Sequence, residues 1–310
     1  VSRTFATNNK MSPAKSITVI SSPYHVGAYA QAVGNGPLAL LDGGLIDKIR
    51  NQGVNVHEVT LPRVDSFEGE IGKSFELLRL TSKAVTQAVD SESFPIVLAG
   101  NCSSAVGVSA GLSAASKKGH GCVWFDAHDD FNTPDALSSG YFDSMPVAML
   151  ADLCWKTLLK SVPGFTPMDL AKNFVHCGMR DVTELERSRV MEAGFKVIWG
   201  DAEKKVDFQS ELRSVMVEKR FASSMIHLDL DSLDVSVGRV NNFSAPGGLL
   251  EEDLVGCLTD IPSRTQPLSL TVASYDPSFD NEGSITPVAI RSVVSFLKAM
   301  IQAGYIATSK

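Results

Sequence analysis

Short apolar runs alternate with longer stretches of helical periodicity along the whole 310-residue chain. The runs predicted as strands are Ile17–Ile20, Val54–Leu61, Pro95–Ala99, Cys122–Asp126, Phe174–Cys177, Phe195–Trp199, Met225–Asp229 and Leu268–Ala273. Between them the spacing predicts helices over Phe75–Val89, Ser104–Lys117, Pro146–Leu159, Phe208–Lys219, Glu251–Asp260 and Pro287–Ala303. Strands alternating with helices imply βαβ units and a mainly parallel sheet covered on both faces, an α/β fold. Ligands in such sheets bind beyond the carboxyl ends of the strands. No internal repeat, low-complexity tract or Pro-rich linker divides the chain, so residues 11–310 are expected to form one domain. The first ten residues, VSRTFATNNK, carry basic and hydroxyl residues but no acid, and are read as a tail, a trimmed transit segment or a cloning remnant outside the fold.

Two acidic clusters interrupt this apolar pattern where chemistry is expected. D-A-H-D-D at Asp126–Asp130 follows Val123-Trp124-Phe125, and D-L-D-S-L-D at Asp229–Asp234 follows Met225-Ile226-His227-Leu228. Each places carboxylates where a strand emerges, and charges there are costly unless a cation pairs with them. Carboxylate oxygens with one imidazole suit divalent first-row metals, and the ligands are enough for two ions sharing a water. Either cluster alone would more often read as a helix N-cap or a solvated turn than as a metal site. Together they point to metal-assisted hydrolysis.

Composition narrows the classes. The formal net charge of -7 provides no basic footprint for nucleic acid. No apolar run approaches the roughly 18 residues of a membrane span. Five cysteines, an odd number without C-x-x-C, make no disulfide framework, so a reducing cytoplasmic setting is the default. Cys122, Cys154, Cys177 and Cys257 lie in apolar surroundings and read as core, whereas His25, His57, His120, His176 and His227 lack acidic motif context and read as structural or exposed.

The order of motifs carries a family resemblance. Gly100-Asn101-Cys102-Ser103, then D-A-H-D-D, Asn132-Thr133-Pro134, Ser139-Gly140, G-M-R-D at Gly178–Asp181 and finally D-L-D-S-L-D together resemble the ureohydrolases: arginase, agmatinase, formimidoylglutamase and relatives. The resemblance runs from Ser21-Ser22-Pro23 to the final helix. It implies a three-layer α/β/α fold with an eight-stranded, mainly parallel sheet, two divalent metal ions, foremost manganese, and an assembly of three or six copies. It also implies hydrolysis of a C–N bond in a guanidino or amidino compound. Residue by residue it makes Asp126 and Asp229 ligands of both ions, Asp130 a ligand of the first and the proton relay, and His128 and Asp231 ligands of the second. The family's sixth ligand is the histidine of G-D-H-S; here the motif reads G-N-C-S, and Cys102 stands in its place. A thiolate there would weaken the first metal position, favour zinc, iron or cobalt over manganese, or leave the position partly empty; the alternative is that Cys102 is a small buried filler.

Other departures concern the substrate. Asp143 occupies the position of a histidine that arginases carry at the pocket mouth, leaving it either a catalytic group or a solvated loop acid. Thr183 and Ser274 replace carboxylates near the substrate's α-amino and guanidinium groups, and Leu137 replaces a hydroxyl residue. Asn132 and Ser139 match residues that face the substrate carboxylate. Free arginine is therefore an unexpected substrate, and a modified or peptide-bound arginine fits better. Two further readings stay open: a ureohydrolase-fold binding protein without turnover, or a covalent amidinohydrolase with Cys102 as nucleophile. A cysteine beside metals is further expected to become reactive when they are stripped.

Overall fold

The computed structural model describes residues 12–66, 68–116 and 119–308; the amino-terminal tail and Lys117, the expected end of one helix, lie outside the described residues. Eight strands form one sheet: β1 (Ser16–Ser22), β2 (Val56–Thr60), β3 (Ser93–Ala99), β4 (Gly121–Phe125), β5 (Phe174–Met179), β6 (Lys196–Trp199), β7 (Ser223–Asp229) and β8 (Gln266–Ala273). Their order is β2-β1-β3-β8-β7-β4-β5-β6, and every pairing is parallel. All eight expected strands are present, with ends shifted by at most two residues. The longest helices are α1 (Glu70–Asp90), α2 (Ser104–Ser116), α3 (Glu184–Ala193), α4 (Phe208–Lys219), α5 (Glu251–Asp260) and α6 (Ile285–Gln302).

Alternation within each strand divides the core in two. Val123 and Phe125 of β4 join a cluster with Phe208, Leu212, Leu254, Leu258 and Phe296 on one face. Cys122 and Trp124 of the same strand join Phe75, Leu78, Val106 and Leu112 on the other. With both faces covered, β4 reads as an unbroken apolar run and all five of its residues are buried. Fully burying each such large side chain contributes about 1.5–3 kcal/mol. The small residues of α2 let α1 approach closely: a side chain at Gly107 would stand 2.7 Å from the Leu78 carbonyl oxygen.

The helices depart from expectation in three places. The segment Pro146–Leu159 forms two short helices, Pro146–Leu150 and Lys156–Leu159, because Asp152 and Trp155 adopt left-handed backbone (φ 57° and 53°) that a helix cannot pass through. Helix α3 has one buried residue, Val190, so it shows no apolar stripe, although its capping box of Thr183 and Glu186 is a start signal. Helix α6 reaches the length and mean hydropathy of a bilayer span, although Arg291 and Lys298 interrupt its apolar run, and nine of its side chains are buried in the protein.

Candidate metal and substrate site

Four adjacent central strands, β3, β8, β7 and β4, end on one side of the sheet, and the loops leaving them build one site. Cys102 lies three residues past β3, Asp126 directly past β4, Asp229 at the last position of β7 and Ser274 directly past β8. Both acidic motifs turn in the same way. The Asp126 carboxylate accepts the His128 amide at 2.7 Å, and the Asp229 carboxylate accepts the Asp231 amide at 2.7 Å. An aspartate that bonds the amide two residues on closes a tight turn and aims both side chains of the pair into one space.

Two donor groups result, one of Cys102, Asp126 and Asp229 and one of Asp126, His128 and Asp231, with the ligand atoms of each within 4.8 Å of one another. Asp126 belongs to both. Five of the six expected ligands are thus brought together, whereas Asp229 joins only the first group and Asp130 joins neither. Asp130 lines the same cavity, buried, with Oδ2 unpartnered and backbone in the left-handed region (φ 47°). Ser274 is likewise held left-handed (φ 66°), with its amide donating to the Gly100 carbonyl at 3.0 Å. Strain at two residues facing one cavity is the pattern of a functional site whose surroundings dictate its geometry.

Mutual repulsion governs the titration of these groups. Burial, then the charges of Asp126, Asp143 and Asp229, push the Asp130 carboxyl well up; burial, then Asp231 and Asp126, do the same to Asp229. Burial and the surrounding carboxylates push the Cys102 thiol up as well, so Sγ keeps its proton and donates to Asp229 Oδ2 at 2.8 Å. This argues against the expectation of a reactive stripped thiol: burial and the surrounding carboxylates favour its protonated form, and it is 1% exposed. At His128 burial opposes charge, but Asp231, Asp126 and Asp181 outweigh it and raise the imidazole well above its usual range. Burial would raise Asp231 too, yet the His128 charge and the bonds from His128 and Asn241 hold it well below. An imidazolium and retained protons balance an excess of carboxylate, and divalent cations fit such a donor set.

Supporting residues fix the ligands. Trp124 Nε1 donates to Asp126 Oδ2 at 3.0 Å, and the His227 ring stacks on Trp124 at 3.7 Å. Asp143 is buried, excluding the solvated-acid reading. It accepts from Asn101 Nδ2 at 2.6 Å and from the Cys102 and Ser103 amides at 3.1 and 2.8 Å. Those bonds oppose the effect of burial, which carries its pKa to about 6. Gly100 begins this loop, and a Cβ there would meet the Tyr24 carbonyl oxygen at 2.0 Å.

Several contributors had no signal as single residues. Asn241 Nδ2 donates to Asp231 Oδ2 at 3.0 Å and to the Ser274 carbonyl at 2.9 Å. Arg180, within G-M-R-D, donates to the carbonyls of Gly178, Asp231, Ser232, Leu233, Ala245 and Pro246, locking the loop after β7.

A cavity of about 580 Å³ opens above the donor groups. Leu137, Ser139 and Ser274 line it, as does Asn132. Asn132 is tied at both ends of its amide, Nδ2 to Glu186 Oε1 at 2.9 Å and Oδ1 to Arg189 Nη2 at 2.6 Å. Thr183 caps α3, its hydroxyl donating to Glu186 Oε2 at 2.8 Å, and it is Glu186 that reaches the cavity wall. Tyr141, Phe243 and Glu70 also line the cavity, and no motif or spacing singles them out. The four remaining cysteines are buried, as expected of core residues.

A sequence model of the Arginase family matches residues 15–298. Arginase-1 of Xenopus laevis is 30% identical over 250 residues, covering 75% of this chain and 78% of that one. The arginase of Bacillus subtilis is 31% identical over 192 residues, which span 59% of this chain and 64% of the relative. Among solved structures, that of arginase from Bacillus subtilis superposes with a TM-score of 0.79 at 24% identity, covering 91% of this chain and 98% of the other. That of Entamoeba histolytica arginase with L-ornithine gives 0.81 at 20% identity, covering 93% and 99%. At these identities the structural likeness speaks for the fold.

Proposed function

Because the chain belongs to the arginase family of ureohydrolases, whose members hydrolyse C–N bonds of linear amidines, we propose that it is a metal-dependent hydrolase of a guanidino or amidino compound other than free arginine. The observation that carries this is the pair of donor groups joined through Asp126 at the floor of one cavity. Cys102, Asp126 and Asp229 would hold one divalent ion, and Asp126, His128 and Asp231 the other. Such ions acidify water and neutralise developing charge. Manganese suits the histidine side, and the thiol side would accept zinc, iron or cobalt.

The residues of the chain supply the rest. In the net reaction water adds to the guanidinium carbon, a C–O bond forms, the C–N bond to the tail breaks, and the departing nitrogen leaves as an amine with urea as co-product. Asp130 is proposed to carry the proton from the attacking water to the departing nitrogen; in support, it lines the cavity, its Oδ2 has no partner, and burial with neighbouring carboxylates raises its proton affinity. Asp143 acts through the Cys102 loop, whose amides it holds. Ser274, Ser139 and Asn132 are proposed to face the substrate, and Thr183 to act through Glu186. A covalent role for Cys102 is disfavoured, because an activated thiol needs a lowered pKa and this one is raised.

The test is metal analysis after manganese or zinc loading, followed by urea and ammonia assays across guanidino and amidino compounds. The proposal expects between one and two metal equivalents and metal-dependent release of urea or ammonia. Turnover that survives exhaustive chelation, or no turnover of any guanidine by the loaded protein, would refute it.

A further inference from the structure

The cavity wall specifies more than a guanidinium. Eight carboxylate side chains line it, and no lysine or arginine does among the described residues. A cation is favoured beside the carboxylates outside the two donor groups, and a substrate carboxylate finds no lysine or arginine there. The neutral groups on the wall give a carboxylate little: the Asn132 amide is tied between Glu186 and Arg189, an aliphatic side chain stands at Leu137, and what remains are uncharged donors such as the Ser139 hydroxyl, which accepts the Tyr141 amide at 3.3 Å. Part of the wall is aromatic. The Tyr141 and Phe243 rings lie 6.3 Å apart, tilted by 33°, and the His25 ring lies 6.2 Å beyond Tyr141. The Phe243 backbone is pinned by its amide bond to Asn241 Oδ1 at 2.7 Å, yet the residue is 52% exposed. An aromatic side chain fixed at the mouth of an acidic cavity offers unfilled apolar surface beside the path a substrate tail must take.

We infer that the substrate is a hydrophobic guanidino cation without a carboxylate, its guanidinium toward Asp130 and Asp229 and its aryl or alkyl tail along the Tyr141–Phe243 wall. This rests on the ureohydrolase reading and adds the chemistry of the tail. The charge of the wall sets the head group, and the aromatic pair sets the preference among tails. Peptide-bound arginine shares the missing carboxylate but carries polar amides where the wall is apolar, and the inference places it below an aryl tail.

The experiment compares 4-phenylbutylguanidine, butylguanidine, an N-acetylarginine amide and L-arginine on the manganese-loaded full chain. Urea release gives kcat/KM, and equilibrium dialysis of 4-phenylbutylamine and butylamine gives tail affinity without turnover. The phenyl tail should exceed the butyl tail roughly tenfold in both readouts. L-Arginine should trail the phenyl compound by roughly a hundredfold or more. Phe243→Ala should bring the phenyl-to-butyl ratio close to one, and Tyr141→Leu should lower it part of the way. Arginine matching the phenyl compound, the acetylated amide surpassing it, or a ratio untouched by Phe243→Ala would each overturn the inference while leaving the ureohydrolase reading in place. Absence of turnover with every guanidine would instead remove that reading, and the inference with it.

Discussion

The two donor groups differ although they share Asp126 and similar turns. On the Cys102 side the donors are two acids and a thiol, all buried, and burial with mutual repulsion raises the proton affinity of each. On the His128 side an imidazolium compensates the charge, so Asp231 stays ionised well below the usual carboxylate range. Replacing one imidazole by sulfur thus changes how half of the site is balanced. The histidine side is prepared for a hard cation, whereas the cysteine side must first release protons to bind anything.

The strongest way to break the comparison is to remove what the halves share. Asp126→Asn should leave less than about a thousandth of the activity, equivalent to about 4 kcal/mol of barrier, and metal analysis should show both ions lost rather than one. Retention of one full equivalent would show the halves to be independent.

Making the halves alike is the next test. Cys102→His should strengthen manganese binding at the weaker position by roughly tenfold to a hundredfold, about 1.4–2.7 kcal/mol, as read by calorimetric titration. An isotherm identical to the parent's would mean that sulfur does not set the asymmetry.

A smaller, graded effect is expected with pH. Asp126, Asp130 and Asp229 have folded pKa values raised above their unfolded ones, so their burial penalty is relieved as pH falls through the folded values and is fully present above them. His128, raised by its carboxylates, contributes stability below its unfolded pKa that is lost as pH rises through the folded one. Both trends weaken the metal-free protein as pH rises, while fewer protons then compete with the metal. The rise in Tm on adding manganese should therefore be larger at pH 8 than at pH 6, and differential scanning calorimetry with and without chelator would measure it. An equal rise at both pH values would contradict this account.

The smallest effect concerns the thiol. Because Cys102 is protonated and enclosed when no cation is present, iodoacetamide should modify it slowly in chelator-treated protein, at less than about a tenth of the rate of an unperturbed, exposed cysteine. Mass spectrometry of the labelled peptides would show it, and rapid labelling on chelation would restore the expectation drawn from the sequence.

The amino-acid sequence by itself determined the strands, the parallel α/β class and the acidic residues at strand ends. Apolar periodicity is local, and it survives in β4 as five buried residues between polar flanks. Motif order carried the family and the ligands, because chain order fixes which strand end bears each motif. Tertiary structure alone decided the remainder. That Asp143 is clamped to the Cys102 loop depends on residues 40 to 42 positions apart, and that Arg180 gathers six carbonyls depends on segments as far as 66 positions away. The same holds for Asn132, polar and suited to a ligand by residue type, whose amide is tied to Glu186 and Arg189 more than 50 positions along the chain. The proton on Cys102 is set by carboxylates up to 127 positions distant, since desolvation and Coulomb repulsion depend on proximity in space, which the order of residues does not state.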